Sequence, residues 1–213
     1  MLHGRRLELL YRDGGAEVRA VDGVDIEVRE REFVGIIGPS GSGKSSLLYL
    51  LAGLKRPTSG EVRFRDTRLG DLGTSGLAAL RRRHFGFVFQ NHFLIHYLTG
   101  IENVLVGGGE NAARAEKLLD EMKVSHVRHK FPYQMSAGER QRVAIARSIV
   151  HEPDVLFADE PTASLDRPNA EIVVDHLQRT AERGTLFVVT HDETILRGAG
   201  RVLKMFGGKL APS

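Results

Sequence analysis

The stretch Gly38-Pro39-Ser40-Gly41-Ser42-Gly43-Lys44-Ser45 decides the fold, because it fits the phosphate-binding pattern G-x-x-x-x-G-K-[ST]. An apolar run at residues 33–37 precedes it, and a helix-like segment at residues 46–51 follows it. The glycines let successive backbone N–H groups turn toward one centre, and the following helix adds its positive N-terminal end. This strand–loop–helix context predicts a site for a nucleoside triphosphate.

Two side chains of this stretch have predicted roles in holding the nucleotide. Lys44 is expected to reach the β- and γ-phosphates, and the hydroxyl of Ser45 is expected to hold Mg²⁺. The pattern alone does not separate an ATPase from a GTPase. The predicted nucleotide-binding residues of this segment are Gly38, Pro39, Ser40, Gly41, Ser42, Gly43, Lys44, Ser45 and Ser46.

The overall composition is that of an ordinary globular protein. Of the 213 residues, 41% are apolar and 27% are charged, and no run of 18 apolar residues predicts a membrane span. Residues 1–6 lack the apolar core of a secretory signal, and the absence of cysteine excludes disulfides. The net charge of +3 is not a nucleic-acid footprint. We therefore expect a cytoplasmic protein without a nucleic-acid partner.

Strand and helix patterns alternate along both ends of the chain, and a different pattern lies between them. The N-terminal part favours antiparallel strands joined by turns, whereas the later strands are each followed by a helix. Between residues 90 and 152 the pattern is entirely helical. The predicted strands are 6–12, 24–28, 32–37, 61–64, 85–89, 154–158, 185–189, 202–206 and 209–210, with turns at 13–15 and 57–60. The predicted helices are 46–51, 77–83, 101–106, 111–122, 138–150, 169–183 and 192–197.

This order of elements predicts one α/β domain over residues 1–213. A parallel central sheet forms a P-loop NTPase core, with an antiparallel β subdomain at its N-terminal end. Residues 1–90 and 152–213 make up this core and its β subdomain, and residues 91–151 form an inserted α-helical subdomain. The basic cluster Arg81-Arg82-Arg83 fits either the solvated end of a helix or a contact with a partner.

Polar side chains follow three predicted strands at the edge where the phosphate-binding loop lies. Asp159 at such a strand end can hold Mg²⁺ through water, and Glu160 directly after it can polarise an attacking water. His191 ends the next strand and can hydrogen-bond a γ-phosphate, and Gln90 can coordinate Mg²⁺ or position water. Asp159 and Glu160 alone would also fit a polar strand end. The neighbouring phosphate loop instead favours roles in holding Mg²⁺ and polarising water.

Two further features have alternatives that the residues leave open. Ser136 and Glu139 form either a simple capping box or a second anion site at the start of a helix. Tyr11 is either a packed strand residue or a platform under an adenine ring. His126 and His129 are interpreted as surface residues, because no set of metal ligands accompanies them.

Together these motifs resemble those of the ATP-binding subunits of ABC (ATP-binding cassette) transporters, and the resemblance runs from Tyr11 to about Leu210. It implies the ABC ATPase fold, with ATP and Mg²⁺ as ligands and ATP hydrolysis as the activity. The positions that match family motifs are Tyr11 for the aromatic A-loop, Gly38–Ser45 for Walker A, Gln90 for the Q-loop, Met135–Glu139 for the signature, Asp159 and the catalytic Glu160 for Walker B, Ala163–Asp166 for the D-loop and His191 for the switch histidine.

The resemblance also implies partners. Two ATP-binding subunits would form a head-to-tail dimer, with each ATP between Walker A of one subunit and the signature of the other. Ser136 and the backbone of Ala137 and Gly138, with Glu139 completing the signature, would contact the γ-phosphate held by the second subunit. Asp166 would communicate between the two sites. An integral membrane permease would convert ATP-driven closure into transport, which places the chain on the cytoplasmic face of the membrane.

Four stretches are most similar to the lipoprotein-release and macrolide-export group of this family, namely 80–90, 98–104, 138–147 and 158–162. Two departures stand out. The insert is short around residues 107–109, and Ala137 replaces the usual first glycine of the signature. The extra methyl group costs little if Ala137 has a negative φ, but roughly 1 kcal/mol or more if φ is positive.

Two alternative functions remain at this stage. One is a non-transport ABC ATPase that acts as a mechanical or regulatory module, for example of the cell-division type. The other is a GTPase, which is disfavoured because the sequence has no Asn-Lys-x-Asp-like motif to read a guanine base.

Overall fold

Two β-sheets form the layers of the computed structural model, which describes residues 1–13, 16–108 and 111–211. The strands are β1 (Leu2–Asp13), β2 (Ala16–Val28), β3 (Phe33–Ile37), β4 (Ser59–Phe64), β5 (Thr67–Arg68), β6 (Phe85–Val88), β7 (Val155–Asp159), β8 (Thr185–Thr190), β9 (Arg201–Phe206) and β10 (Lys209–Leu210). The α-helices are α1 (Lys44–Leu51), α2 (Thr74–His84), α3 (Gly100–Leu105), α4 (Ala112–Glu121), α5 (Ala137–Ile149) and α6 (Arg167–Arg183). Single 3₁₀ turns occur at Leu69–Asp71, Ser125–Val127, Pro132–Gln134 and Glu193–Leu196.

The first sheet is antiparallel and has the order β2-β1-β4-β5. Its apolar side chains alternate along the strands, so that one face is buried. Leu7, Val24 and Val62 are examples from this face, and they share a core with Leu47 and Leu51 of α1. The sheet therefore packs against the helix that follows the phosphate-binding loop.

The second sheet has the order β10-β9-β3-β8-β7-β6 and is parallel except for β10. Strands β7 and β8 are buried along their whole length, as expected for continuous apolar runs covered on both faces. In the register, Ile37 lies opposite Thr190, and Asp159 lies opposite Val189. The carboxyl ends of β3, β8 and β7 consequently meet at one edge, which is where parallel α/β sheets bind ligands.

The helices between β6 and β7 pack together and onto the parallel sheet. Leu119 of α4 and Val143 of α5 belong to the same apolar cluster as Leu156 and Val188 of the sheet. Side-chain caps define two of the helix starts, because Asn111 accepts from the N–H of Arg114 and Ser136 accepts from that of Glu139. None of the helices in the described ranges is long and apolar enough to cross a membrane.

The predicted α/β class is confirmed, with its parallel central sheet, antiparallel N-terminal layer and inserted helices. The turn predicted at 57–60 is wrong in its second half, because Ser59 and Gly60 begin β4 and Ser59 pairs with Glu8. The helix predicted at 192–197 is only a 3₁₀ turn. The turn predicted at 13–15 includes residues 14 and 15, and the short segment predicted at 107–109 includes residue 109, all of which lie outside the described residues.

We expect Phe157→Ala to be strongly destabilising. Phe157 is fully buried in β7, and its ring centroid lies 5.2 Å from that of Phe85 and 5.7 Å from that of Phe87. Loss of a buried aromatic ring costs about 3–5 kcal/mol in free energy of unfolding, which urea denaturation measures. Phe206→Ala is the control, because Phe206 is 54% exposed and its loss should change stability by no more than about 0.5 kcal/mol. Similar losses in the two variants would contradict this view of the core.

Candidate functional site

The loop between β3 and α1 is packed so closely that it requires glycine. Gly43 has a φ of 102°, in the left-handed region, and a Cβ atom there would lie 2.0 Å from the carbonyl oxygen of Ala20. A Cβ atom at Gly38 would lie 2.2 Å from the carbonyl oxygen of Met205. The backbone of β2 and β9 thus forms the wall on which the loop is shaped.

The inner surface of this loop is rich in hydrogen-bond donors. The ammonium group of Lys44 crosses the loop and donates to the carbonyl oxygens of Gly38 and Pro39, at 2.8 and 3.0 Å. The hydroxyl of Ser42 is buried and has no partner among the described residues. A buried polar group without a partner is costly, and a phosphate oxygen would satisfy it. These residues therefore fit a polyphosphate.

Ser45 and Asp159 are joined directly although they are far apart in sequence. The Ser45 hydroxyl donates to Oδ1 of Asp159 at 2.8 Å, and the Tyr49 hydroxyl donates to Oδ2 at 2.9 Å. Burial raises the pKa of Asp159 above its usual range and the charge of Glu160 adds to this, while the two hydroxyl donors oppose it. A hydroxyl beside a carboxylate supplies the oxygen ligands that Mg²⁺ prefers.

A metal ion at this place would need other oxygen ligands as well. The described residues contain no group of three or more histidine, cysteine, aspartate or glutamate side chains arranged to hold a metal. Mg²⁺ is usually held by one or two protein groups together with water and substrate phosphates. The pair of Ser45 and Asp159 fits that manner of binding.

Glu160 is fixed at the sheet edge by the end of β8. Its Oε1 lies 3.0 Å from Nδ1 of His191, and its Oε2 accepts from the Thr190 hydroxyl at 3.0 Å. The backbone N–H of Glu160 donates to Val189, and its φ of 47° lies in the left-handed region. Non-glycine residues held in this strained conformation cluster at functional sites. The chain thus holds a carboxylate at a defined point beside the phosphate loop.

These groups surround one cavity of about 620 Å³, a size typical of small-molecule sites. Asp159 lies beneath it, reached through Ser45, and is only 1% exposed. Gly38 and Pro39 form the back of the loop and do not line the cavity. The residues that line it are Tyr11, Val18, Ala20, Ser40, Gly41, Ser42, Gly43, Lys44, Ser45, Ser46, Gln90, Glu160 and His191.

Tyr11 combines the two roles that the sequence leaves open, namely packing within its strand and forming part of the cavity wall. Its ring lines the cavity and also packs against the edge of the core. Its hydroxyl accepts from Lys55 at 2.8 Å and lies 3.4 Å from the hydroxyl of Ser46, while the Lys55 ammonium lies 4.3 Å from the ring centroid. The strand therefore presents an aromatic ring to the cavity and fixes its orientation.

The start of α5 does not belong to this cavity. Ser136, Ala137, Gly138 and Glu139 are absent from its lining, as is Asp166. Ser136 and Glu139 form the predicted capping box, in which the Ser136 hydroxyl accepts from the Glu139 N–H and the Glu139 carboxylate accepts from the Ser136 N–H. Ser136 and Ala137 are exposed and Gly138 is half-buried, so the start of the helix lies at the surface.

Ala137 occupies the first turn of α5 and is not among the residues with positive φ. Its extra methyl group therefore carries no backbone strain. Asp166 caps α6 by accepting from the N–H of Asn169, and it is exposed. The side chain of Gln141, further along α5, donates to the carbonyl of Pro161 and so links this helix to the segment after Glu160.

The sequence patterns do not identify three side chains that hydrogen-bond to predicted site residues. Tyr49 lies four residues after Ser45 on α1, and this spacing, which puts both on one helix face, could have suggested their shared partner. Thr190 holds Glu160, and only the strand register reveals it. His126 contacts Glu139 from the 3₁₀ turn Ser125–Val127, and no local pattern indicates that contact.

The family model described as "ABC transporter" matches residues 21–163. The chain belongs to the ABC transporter family. The chain carries the ATPase domain of this family, which favours ATP over GTP as its nucleotide.

Relatives of this ABC ATPase include the lipoprotein-releasing system ATP-binding protein LolD of Aquifex aeolicus, which is 44% identical over 88% of each chain. The macrolide export ATP-binding/permease protein MacB of Wolinella succinogenes is 41% identical over 92% of this chain. The chain spans only about a third of the length of that relative, 32%. A dimeric post-hydrolysis structure of the ATP-binding cassette MJ0796, bound to ADP and Pi, has a TM-score of 0.94 and 34% identity, covering 100% of this chain and 97% of that one.

We expect Tyr49→Phe to destabilise this ABC ATPase. The change removes a donor from the buried carboxylate of Asp159 without changing the packing of the ring. Loss of a hydrogen bond to a charged group costs about 1.5–3 kcal/mol in free energy of unfolding. Urea denaturation at neutral pH measures it, with Tyr97→Phe as the control because Tyr97 is 70% exposed. Equal stability of the two variants would show that the Tyr49 hydroxyl does not support Asp159.

Proposed function

We propose that this ABC ATPase hydrolyses ATP at the interface between two copies of the chain and so drives a membrane permease of the export or lipoprotein-release type. One observation carries the proposal: the phosphate-binding cavity and the exposed start of α5 are both suited to anions, but the start of α5 does not line that cavity. A second copy of the chain could supply the missing half of each site. The dimeric cassette of similar fold supports this arrangement.

Lys44 and the N–H groups of Ser40–Ser45 would bind the β- and γ-phosphates, and the ring of Tyr11 would support the adenine. Ser45 and Asp159 would hold Mg²⁺, with the amide of Gln90 at the rim of the same cavity. When bound, the ion neutralises charge on the phosphate oxygens. The chain's own contribution is to position these groups, which dominates catalysis of phosphoryl transfer.

Glu160 would act on the attacking water. Its carboxylate would orient the water by accepting a hydrogen bond and would then take up its proton, while the water oxygen attacks the γ-phosphorus and the bond to the leaving ADP oxygen breaks. Thr190 and His191 hold the carboxylate in place, and His191 would also donate to the γ-phosphate. Asp159 beside it is only 1% exposed, so Glu160 rather than Asp159 is placed to contact the attacking water.

The signature residues would act on the nucleotide of the second copy. The Ser136 hydroxyl and the N–H groups of Ala137 and Gly138 would donate to its γ-phosphate, and Glu139 completes the capping box that orders them. A helix N-terminus with exposed N–H groups suits an anion. Asp166 would lie near the interface and link the two sites.

Glu160→Gln tests the catalytic assignment. The amide keeps the size of the side chain but removes its charge, so we expect ATP binding to persist and phosphate release to fall at least about 100-fold. Because ATP is no longer consumed, the variant should accumulate as a dimer in analytical ultracentrifugation with ATP.

Two variants control this experiment. Lys44→Ala should lose ATP affinity and form no dimer, because it removes the cation at the phosphates. Glu171→Gln should behave as the parent, because Glu171 is an exposed carboxylate on α6 whose side chain is 70% exposed. Normal hydrolysis by Glu160→Gln would refute the assignment.

We further propose that the chain docks on the cytoplasmic face of the membrane as a peripheral subunit. Residues 91–151 would form a helical subdomain that grips the permease, and residues 1–90 and 152–213 would form the ATP-binding core with its β subdomain. In support, large apolar side chains within residues 91–151 are exposed, with Phe93 at 65%, Tyr97 at 70% and Tyr133 at 76%. The names of the relatives, a lipoprotein-releasing protein and a macrolide exporter, favour an export or release permease.

Co-purification from detergent-solubilised native membranes tests the partner. We expect the tagged chain to capture an integral membrane protein with a large extracytoplasmic domain. Tyr97→Ala with Tyr133→Ala should reduce capture severalfold, whereas Phe206→Ala, at a 54% exposed residue outside this segment, should not. Capture of soluble partners alone would favour the alternative, a non-transport ABC ATPase of the cell-division type.

A further inference from the structure

The carboxylate of Glu139 is shared between two segments of the chain. Its Oε2 accepts from the backbone N–H of Ser136 at 2.7 Å, which closes the capping box of α5. Its Oε1 lies 2.6 Å from Nε2 of His126, in the 3₁₀ turn that follows α4. The side chain of Glu139 is only 17% exposed, whereas that of His126 is 58% exposed. His126 is thus a surface residue, as its sequence context suggested, but its ring has a defined partner.

Glu139 is ionised at neutral pH. Burial opposes ionisation, but the Ser136 N–H and the His126 ring outweigh it and hold the pKa of Glu139 at about 2. An ionised carboxylate can only accept hydrogen bonds, so Nε2 of His126 carries the proton in this contact. The first turn of α5 therefore contains a full negative charge that faces a proton donor.

This charge conflicts with the role proposed for the start of α5. A carboxylate in the first turn stabilises the positive end of its own helix, but it repels a phosphate that would bind to the same end. One turn further along α5, the guanidinium of Arg142 is attracted by both Glu139 and Asp166, and its Nε and Nη1 atoms are buried without a partner among the described residues. Neither of these two Arg142 atoms hydrogen-bonds the Glu139 carboxylate, whereas the His126 ring lies within hydrogen-bonding distance of it.

We propose that His126 is a positioning residue for the second half of the nucleotide site. By donating to Glu139 it keeps the capping box closed and draws the negative charge away from the N–H groups of Ala137 and Gly138. The helix start can then accept the γ-phosphate bound to a second copy of the chain. This inference rests on the proposed function and adds to it a residue outside the family motifs.

The test measures ATP-dependent dimerisation in a Glu160→Gln background, where hydrolysis does not perturb the equilibrium. The readouts are the ATP concentration at half-maximal dimerisation, by analytical ultracentrifugation, and the affinity of the monomer for a fluorescent ATP analogue. We expect His126→Ala to raise the ATP concentration at half-maximal dimerisation roughly fivefold, as for loss of a partly exposed contact to a charged group, and to leave the monomer's affinity for the ATP analogue unchanged. His126→Gln should recover most of the loss, because its amide can still donate.

A double-mutant cycle separates charge control from simple packing. When Glu139→Gln removes the negative charge, adding His126→Ala should change dimerisation less than about twofold. His129→Ala is the matched control, since His129 is an exposed histidine three residues away whose ring accepts a hydrogen bond from Arg128. It should behave as the parent.

The outcomes are distinguishable. If the parent dimerises with ATP and His126→Ala dimerises equally well, the role of His126 is refuted while the proposed dimer stands. An equal loss in the presence and absence of the Glu139 charge, or a loss that His126→Gln does not recover, would also refute it, because His126 would then be only structural. If the parent itself does not dimerise with ATP, the proposed function fails and this inference with it.

Discussion

The hydrogen bond between Ser45 and Asp159 is the contact on which the nucleotide site depends. It joins the first turn of α1 to the end of β7, across more than 100 residues of sequence. It can form only because β8 pairs in parallel with both β3 and β7, which brings three strand ends to one edge. The same register places Thr190 and His191 beside Glu160. One set of backbone pairings therefore fixes both the pair proposed to hold Mg²⁺ and the carboxylate proposed to act on the attacking water.

Much of this arrangement can be predicted from the sequence, because its signals are local. The glycine-rich loop, the continuous apolar strands and the capping pair of Ser136 and Glu139 each lie within a short segment, where residue type and spacing determine the structure. The parallel order of strands then follows from the alternation of strands and helices. For these reasons the sequence predicts both the fold and the cluster of polar side chains at the sheet edge.

What could not be predicted depends on distant segments. Ser59 and Gly60 favour a turn by composition, but pairing with β1 draws them into a strand, so tertiary contacts override local propensity. The contact between His126 and Glu139 forms because the 3₁₀ turn after α4 lies beside the start of α5. The left-handed φ of Glu160 accompanies a backbone hydrogen bond to Val189 on the neighbouring strand. The cost of the Ala137 methyl group depends on the sign of φ, which the sequence does not reveal. Ala137 lies in the first turn of α5, where φ is not positive.

The hydrogen bond from Gln141 to the carbonyl of Pro161 has a consequence for the proposed dimer. The helix whose start would bind the partner's nucleotide is anchored, four residues later, to the segment that directly follows the chain's own Glu160. Movement of α5 toward one ATP would therefore displace the backbone beside the carboxylate that serves the other ATP. The two sites would share a coupling free energy, and linkage requires that this coupling be reciprocal. Such a dimer would bind its two ATP molecules cooperatively.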